Sequence, residues 1–358
     1  MLSYKYKLLI IALYFTGISC TKNTGGAGGG TPLPVPTPIP TNTTFTNPLL
    51  SSGPDPWVIK KDNYYYYTNT LGNRIAVWKT SKMSELRNVS SQTIWSAPSS
   101  GPNSKDVWAP EIHFINNKWY AYYAADDGNN ANHRIYVLEN SSSLDPLSGT
   151  WESKGKINDV SDKWAIDATI FDLNGQLYML WSGWEGNVDG RQDIYIAKLL
   201  NPWTIEGSRV MISTPTYNWE TIGSPDVNEG PEIIKNSNGK VFLIYSASFC
   251  GVDDYALGML TLKDGGNPMN AGDWSKTPTP VFSKNPSGGA YGPGHNSFFK
   301  SLDGTEDWIL YHANSSSGLG CGDARSPRMQ MFTWNADGIP NFGQPVAVGQ
   351  AIKKPSGE

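Results

Sequence analysis

The chain has 358 residues, a formal net charge of −4 and 17% charged residues, so it carries no basic footprint for nucleic acid. Aromatic residues make up 12%, with 14 tryptophans, which is more than core packing normally asks for and is compatible with sugar recognition on aromatic faces.

In chain order the first element is an address. Lys5 and Lys7 precede the apolar stretch LLIIALYFTGI, which is too short to span a bilayer and reads as a secretory signal over residues 1–20. Cys20 directly follows the small residue Ser19, a position that suggests lipid attachment, although Gly17 departs from the usual aliphatic residue there. The expected location is therefore outside the cytoplasm, lipid-anchored at the outer membrane or in the periplasm or cell surface, with the anchor as the only membrane contact. Residues 21–44 are mostly Gly, Pro, Thr and Asn and read as a flexible linker.

Residues 45–358 carry five acid-bearing or histidine-bearing phrases: Asp55 in GPDPWVI, Glu111 in VWAPEIHF, Asp167 in AIDATIF, Glu229 in NEGPEII and His295 in GPGHNSFF. Their spacings, by subtraction, are 56, 56, 62 and 66 residues. After each phrase come a turn and an aromatic or β-branched run: NYYYYT, KWYAYYAA, QLYMLWSGW, KVFLIYSAS and DWILYHAN. Third strands follow (RIAVWKTS, RIYVLENS, DIYIAKLL, YALGMLTL, RMQMFTW), then weaker fourth strands (QTIWSA, TWESKGKI, SRVMIS, PTPVFS, QPVAVG). Helical periodicity is missing from any long segment. The pattern predicts an all-β fold, a five-bladed β-propeller with four antiparallel strands per blade.

That topology brings the start of every innermost strand to one axis and puts the loops after each second strand on the same face, where they wall a cavity. Carboxylates gathered on a partly buried axis repel one another, so their pKa values separate into a base and an acid, as glycoside hydrolysis needs. Asp55 and Glu229 fall on non-adjacent blades, leaving room for a water, which suits inversion. Asp167 lies beside blade four, placed to tune the acid.

The motifs Asp55-Pro56-Trp57, Trp108-Ala109-Pro110-Glu111, Ile166-Asp167-Ala168-Thr169, Glu229-Gly230-Pro231 and Gly294-His295 resemble those of glycoside hydrolase family 43. The resemblance implies Asp55 as general base, Glu229 as general acid and Asp167 as the carboxylate that orients the acid. It also implies His295 at the axis, beside substrate and a calcium ion that is structural or pKa-tuning, with no organic cofactor. Arg325 takes the place of a substrate-contacting arginine, with Arg328 as its neighbour of equal reach. Glu232 is the rival of Glu229, and Glu111 is read as a structural carboxylate under the cavity floor. Trp108 either stacks on sugar or packs between blades. His113, His133 and His312 receive no role. Cys250 and Cys321 follow the second strands of successive repeats and form either a disulfide or two free thiols.

NEGPEII, YSASFCGVDDYALG and RSPRMQMFTWNADGIPNFGQPV look like the arabinofuranosidase branch of the family. The expected protein is a monomeric inverting hydrolase of α-L-arabinofuranosyl linkages, acting on arabinose- or xylose-containing oligo- and polysaccharides. The alternatives are a β-xylosidase or endo-arabinanase of the same family, or a surface propeller that binds glycans without catalysis.

Overall fold

The computed structural model describes residues 43–142 and 144–358. The predicted signal segment, Cys20 and all but the last two residues of the predicted linker lie outside the described residues. The chain opens on a short strand, β1 (Thr44–Phe45), and then builds five four-stranded sheets one after another. Blade one is β2 (Trp57–Lys61), β3 (Tyr64–Thr68), β4 (Arg74–Thr80) and β5 (Gln92–Ser96). Blade two is β6 (Lys105–Ile115), β7 (Lys118–Asp126), β8 (Arg134–Asn140) and β9 (Trp151–Ile157). Blade three is β10 (Ala165–Leu173), β11 (Gln176–Trp184), β12 (Gln192–Asn201) and β13 (Thr204–Ser213). Blade four is β14 (Asn228–Lys235), β15 (Val241–Ala247), β16 (Ala256–Leu262) and β17 (Trp274–Lys276). Blade five is β18 (Tyr291–Lys300), β19 (Asp307–Asn314), β20 (Ser326–Trp334) and β21 (Pro340–Asn341). Neighbouring strands within each blade are antiparallel, and the expected five-bladed propeller is what the structure shows.

The inner three strands of each blade fall where the sequence pattern puts them, because an apolar or aromatic run bounded by turn residues leaves little choice. Two outer strands do not. In blade four the predicted PTPVFS lacks the N–H groups of Pro278 and Pro280, and proline cannot donate to a ladder. The outer edge is split instead: β17 pairs with the end of β16, and Phe282 makes a single bridge to Leu257. In blade five the predicted QPVAVG is not a strand; β21 takes the edge. The Gln330 side chain replaces ladder bonds there, donating to Phe342 O at 2.9 Å and Gln344 O at 3.0 Å and accepting from Val346 N at 2.9 Å.

Five large apolar clusters lie between consecutive blades. One joins blades two and three through Tyr122, Ile135 and Met179, and another joins blades five and one through Tyr65, Trp308 and Leu310. Each sheet buries both faces only by meeting its neighbours, so the ring is stable as a closed set. Several of the tryptophans are core: Trp119, Trp184 and Trp308 are fully buried. Closure is made by the ends of the chain rather than by a shared blade. Thr44 and Phe45 pair with Lys353 and Ile352 of β22 (Ile352–Lys353), and the Glu358 side chain accepts from the N–H groups of Met83 and Ser84.

Cys250 and Cys321 are disulfide-bonded, linking the loop after β15 to the loop after β19. They stand 71 residues apart in sequence, so the bond removes a large loop from the unfolded ensemble. Reduction, or a Cys250→Ser/Cys321→Ser double variant, is expected to cost about 2–4 kcal/mol. Thermal melts with and without thiol measure this as a drop in Tm.

Candidate active site

Asp106 (φ +47°) and Gly292 (φ +56°) are left-handed in the first strands of blades two and five, and beside them one left-handed residue recurs in every blade, in or just before the innermost strand: Asp55 (φ +55°), Ala109 (+41°), Asp167 (+55°), Gly230 (+53°) and His295 (+46°). In blades two to five the pairing register with the second strand slips at this residue, which is a bulge. The bulge turns its side chain towards the axis and leaves its N–H outside the ladder. A side chain takes up that N–H in four of the blades. His312 Nδ1 accepts from Asp55 N at 3.0 Å, Thr70 Oγ1 from Ala109 N at 2.7 Å, Asp167 Oδ2 from Gly230 N at 3.1 Å, and Ser246 Oγ from His295 N at 2.8 Å. Each acceptor belongs to the preceding blade of the ring.

By this criterion the equivalent positions are spaced 54, 58, 63 and 65 residues apart, by subtraction. Glu111 and Glu229 are therefore not equivalents of Asp55 and Asp167. Glu111 stands two residues after its bulge and Glu229 one residue before.

Asp55 is buried. Its Oδ1 receives Arg325 Nη1 at 2.7 Å and its Oδ2 receives Thr70 Oγ1 at 2.8 Å. His295 Nδ1 is 3.3 Å from Oδ1. Burial alone would raise this carboxyl; the Arg325 guanidinium, ahead of His295 and the Thr70 bond, outweighs it and holds Asp55 well below the usual carboxylate range. His312 Nδ1 also lies 3.5 Å from Oδ1, yet it accepts the Asp55 N–H, so the ring is a neutral support. Burial pushes His312 well below the ordinary imidazole value, in keeping with that tautomer.

Glu229 is half-buried and accepts Tyr255 Oη at Oε1, 2.8 Å away. Burial raises its pKa to about 7; the negative charge of Asp55 adds to the rise, while the Tyr255 bond and Arg325 oppose it. Asp167 is buried and pushed well above the ordinary carboxylate value, first by desolvation and then by the charges of Glu229 and Asp55. One cavity thus holds a carboxylate that stays ionised and a carboxyl that keeps its proton to near neutrality, the division of labour that acid and base catalysis require.

The cavity measures about 360 Å³. All five loops that follow second strands reach it, through Thr70, Asn130, Asp189, Cys250 and Arg325, and the Cys250–Cys321 disulfide forms part of its wall. Of the two roles foreseen for Trp108, packing between blades is seen: it packs against Trp164, Ile166 and Trp184 of blade three, stacks one face on His133 at 4.0 Å and lines the cavity. Trp164 lines the cavity too, backed by Trp184 at 4.7 Å in a nearly parallel stack. Arg325 lines the cavity and holds Asp55, whereas Arg328 is fully buried and bonds Gly289 O and Ala313 O, away from it. Glu232, the rival of Glu229, is buried below the floor beside Glu111, whose Oε2 meets His113 Nε2 at 2.8 Å. Burial and the charge of Glu111 push Glu232 well above its ordinary value.

His295 lies at the axis, lining the cavity between Asp55 and Gly230. Calcium takes roughly six to eight oxygen ligands. Among the described residues no three His, Cys, Asp or Glu side chains come together as a metal site, and the nearby carboxylate of Asp55 is committed to Arg325. The residues present do not fit a calcium ion ligated by this chain.

Sequence reasoning gave no role to His312 and did not single out Thr70 or Tyr255. His312 and Thr70 lie at or just beyond the ends of second strands, and Tyr255 immediately precedes a third strand. Their only signal was the topological one, that these loops return to the axial face.

The family model for glycosyl hydrolases family 43 matches residues 45–340. An "extracellular exo-alpha-(1->5)-L-arabinofuranosidase" from Streptomyces avermitilis is 42% identical over 316 residues, which cover 86% of this chain and 65% of that protein. This chain therefore spans just under two thirds of that relative. A protein of the same description from Streptomyces chartreusis is 40% identical, with 75% of this chain and 82% of that protein covered. The crystal structure of alpha-L-arabinofuranosidase from Lactobacillus brevis superposes with a TM-score of 0.81 at 36% identity, covering 86% of this chain and 98% of that one.

The site electrostatics can be read directly. In carboxyl-resolved carbon-13 NMR, Glu229 should titrate near pH 7 and Asp55 below the usual range. Arg325→Ala should move the Asp55 midpoint upward, because burial remains and its main opposing charge is gone. An unmoved midpoint would contradict the assignment.

Proposed function

This chain belongs to glycosyl hydrolases family 43, and on that premise we propose that it removes terminal α-L-arabinofuranosyl units from plant polysaccharides, with inversion at the anomeric carbon. The observation that carries the reading is the split within one cavity: Asp55 is held ionised by Arg325 and Thr70 while Glu229 retains its proton.

In the proposed reaction Asp55 takes a proton from a water whose oxygen attacks the anomeric carbon. Glu229 gives its proton to the departing glycosidic oxygen as that bond breaks. Asp167 orients the acid through the backbone: its Oδ2 accepts the N–H of Gly230, the residue after Glu229, at 3.1 Å. Trp108 and Arg325, both lining the cavity, supply an aromatic face and a donor group for the sugar. No step runs through a metal; a calcium ion beside His295 would take its oxygens from water.

The choice of arabinofuranose over xylose, and of terminal over internal cleavage, is supported by the names of the two Streptomyces relatives. Those names also support export, and Ser19-Cys20 supports a lipid anchor as its form. One chain suffices, because the loops of a single propeller wall the cavity.

Asp55→Asn and Glu229→Gln are each expected to lower the rate of arabinose release from arabino-oligosaccharide by about 10²–10⁴-fold. Proton NMR of the first-formed sugar should show the inverted anomer. Wild-type rates in either variant, or retention, would overturn the mechanism; tight glycan binding without sugar release would point to a non-catalytic receptor.

A further inference from the structure

Tyr255 does not line the cavity, yet it touches the machinery on two sides. Its hydroxyl donates to Glu229 Oε1 at 2.8 Å. Its ring stacks on His312 with centroids 5.9 Å apart and planes 13° apart, and His312 is the ring whose Nδ1 takes the N–H of Asp55. The ring edge lies over Gly294, where a Cβ would come within 2.2 Å of Cε1, so no other residue fits at that position without moving the tyrosine. Ser246, which holds the N–H of His295, lies beside the phenol. The side chain is fully buried and its place is over-determined.

The chemistry of such a contact is asymmetric. Burial and the charge of Glu229 push the Tyr255 phenol well above its ordinary value, so it remains a donor across the working range. In a carboxylic acid the carbonyl oxygen is the better acceptor; a donor fixed on Oε1 therefore leaves the acid proton on Oε2. When that proton moves to the glycosidic oxygen, the electron pair stays on the carboxylate and the Tyr255 bond becomes charge-assisted and stronger.

We propose that Tyr255 is a positioning residue for the acid: its hydroxyl fixes the transferable proton on Glu229 Oε2 and stabilises the carboxylate as proton transfer proceeds. The inference rests on the reading of Glu229 as general acid, and it adds a residue whose hydroxyl acts through Glu229.

The test compares Tyr255→Phe with Glu229→Gln in the full-length protein. The substrates are an arabino-oligosaccharide, whose leaving group must be protonated, and a dinitrophenyl α-L-arabinofuranoside, whose leaving group need not be. Tyr255→Phe should lower kcat by about 10- to 100-fold on the oligosaccharide, the scale of one hydrogen bond to a charged group. On the dinitrophenyl glycoside it should lower kcat several-fold less, with KM little changed on both. The alkaline limb of kcat/KM should move to higher pH, because the bond that favoured the carboxylate is gone.

A Tyr255→Phe loss equal on both substrates, or an unmoved alkaline limb, would show a packing role only and overturn the inference while leaving Glu229 as the acid. Should Glu229→Gln itself show no leaving-group dependence, the acid reading fails and the inference falls with it.

Discussion

A backbone N–H turned out of its ladder and caught by the neighbouring blade is the contact on which this site depends. Left-handed backbone costs an L-residue roughly 1–2 kcal/mol, and such strain persists only where its surroundings over-determine it. Here the surroundings are the preceding blade: His312 for Asp55, Thr70 for Ala109, Asp167 for Gly230 and Ser246 for His295. Each bond does two things at once. It satisfies a donor that the bulge has orphaned, and it ties the first strand of one blade to a side chain of another. The apolar clusters between blades supply the energy of the ring, and these polar links set how its inner ends are aimed.

Aim alone does not differentiate the carboxyls, since Asp55, Asp167 and Glu229 share one desolvated cavity. Their neighbours do. Arg325 arrives on the loop after β19 and bonds Asp55 directly with a fixed positive charge, while the donor bonded to Glu229 is a neutral phenol. That loop is itself anchored by the disulfide at Cys321, four residues before the arginine. The stability consequences have opposite signs. Asp55, depressed in the folded state, contributes stability above its unfolded value, and that contribution is lost as pH falls through the folded one. Asp167 and Glu232, both raised, make the folded state less stable as pH rises through the window above their unfolded values. Near neutrality Asp55 thus adds to the stability of the fold while Asp167 and Glu232 take from it.

Much of this was legible in the sequence because propeller blades repeat: strand-length apolar runs and turn residues fixed the inner three strands of all five blades. The outer strands of blades four and five were not, since an edge strand needs few matching partners and tolerates Pro278, Pro280 and a side-chain substitute such as Gln330. At the axis, the phrases were legible but their register was not. Choosing the acidic letter in each phrase set Glu111 and Glu229 level with Asp55 and Asp167, whereas the backbone sets Ala109 and Gly230 level with them. Local sequence marks a bulge weakly when its residue is alanine. His312, Thr70 and Tyr255 carry no pattern of their own; they matter because topology returns them to the axis from separate strands and loops.

The one-residue offset in blade four has a chemical meaning. Side chains alternate across a strand, and a bulge resets that alternation. Two residues beyond the bulge, Glu111 and Glu232 turn under the floor and meet one another and His113. Gly230 brings no side chain to the bulge, so the position before it is free to enter the cavity. The acid therefore comes from a half-buried position, while Asp55 and Asp167, both in left-handed backbone, are buried. A base needs room for one water and gains from seclusion; an acid must meet an oxygen that carries the rest of a polymer out towards solvent. Glycine at the blade-four bulge lets a ring of equivalent strands present two carboxyl groups at different depths.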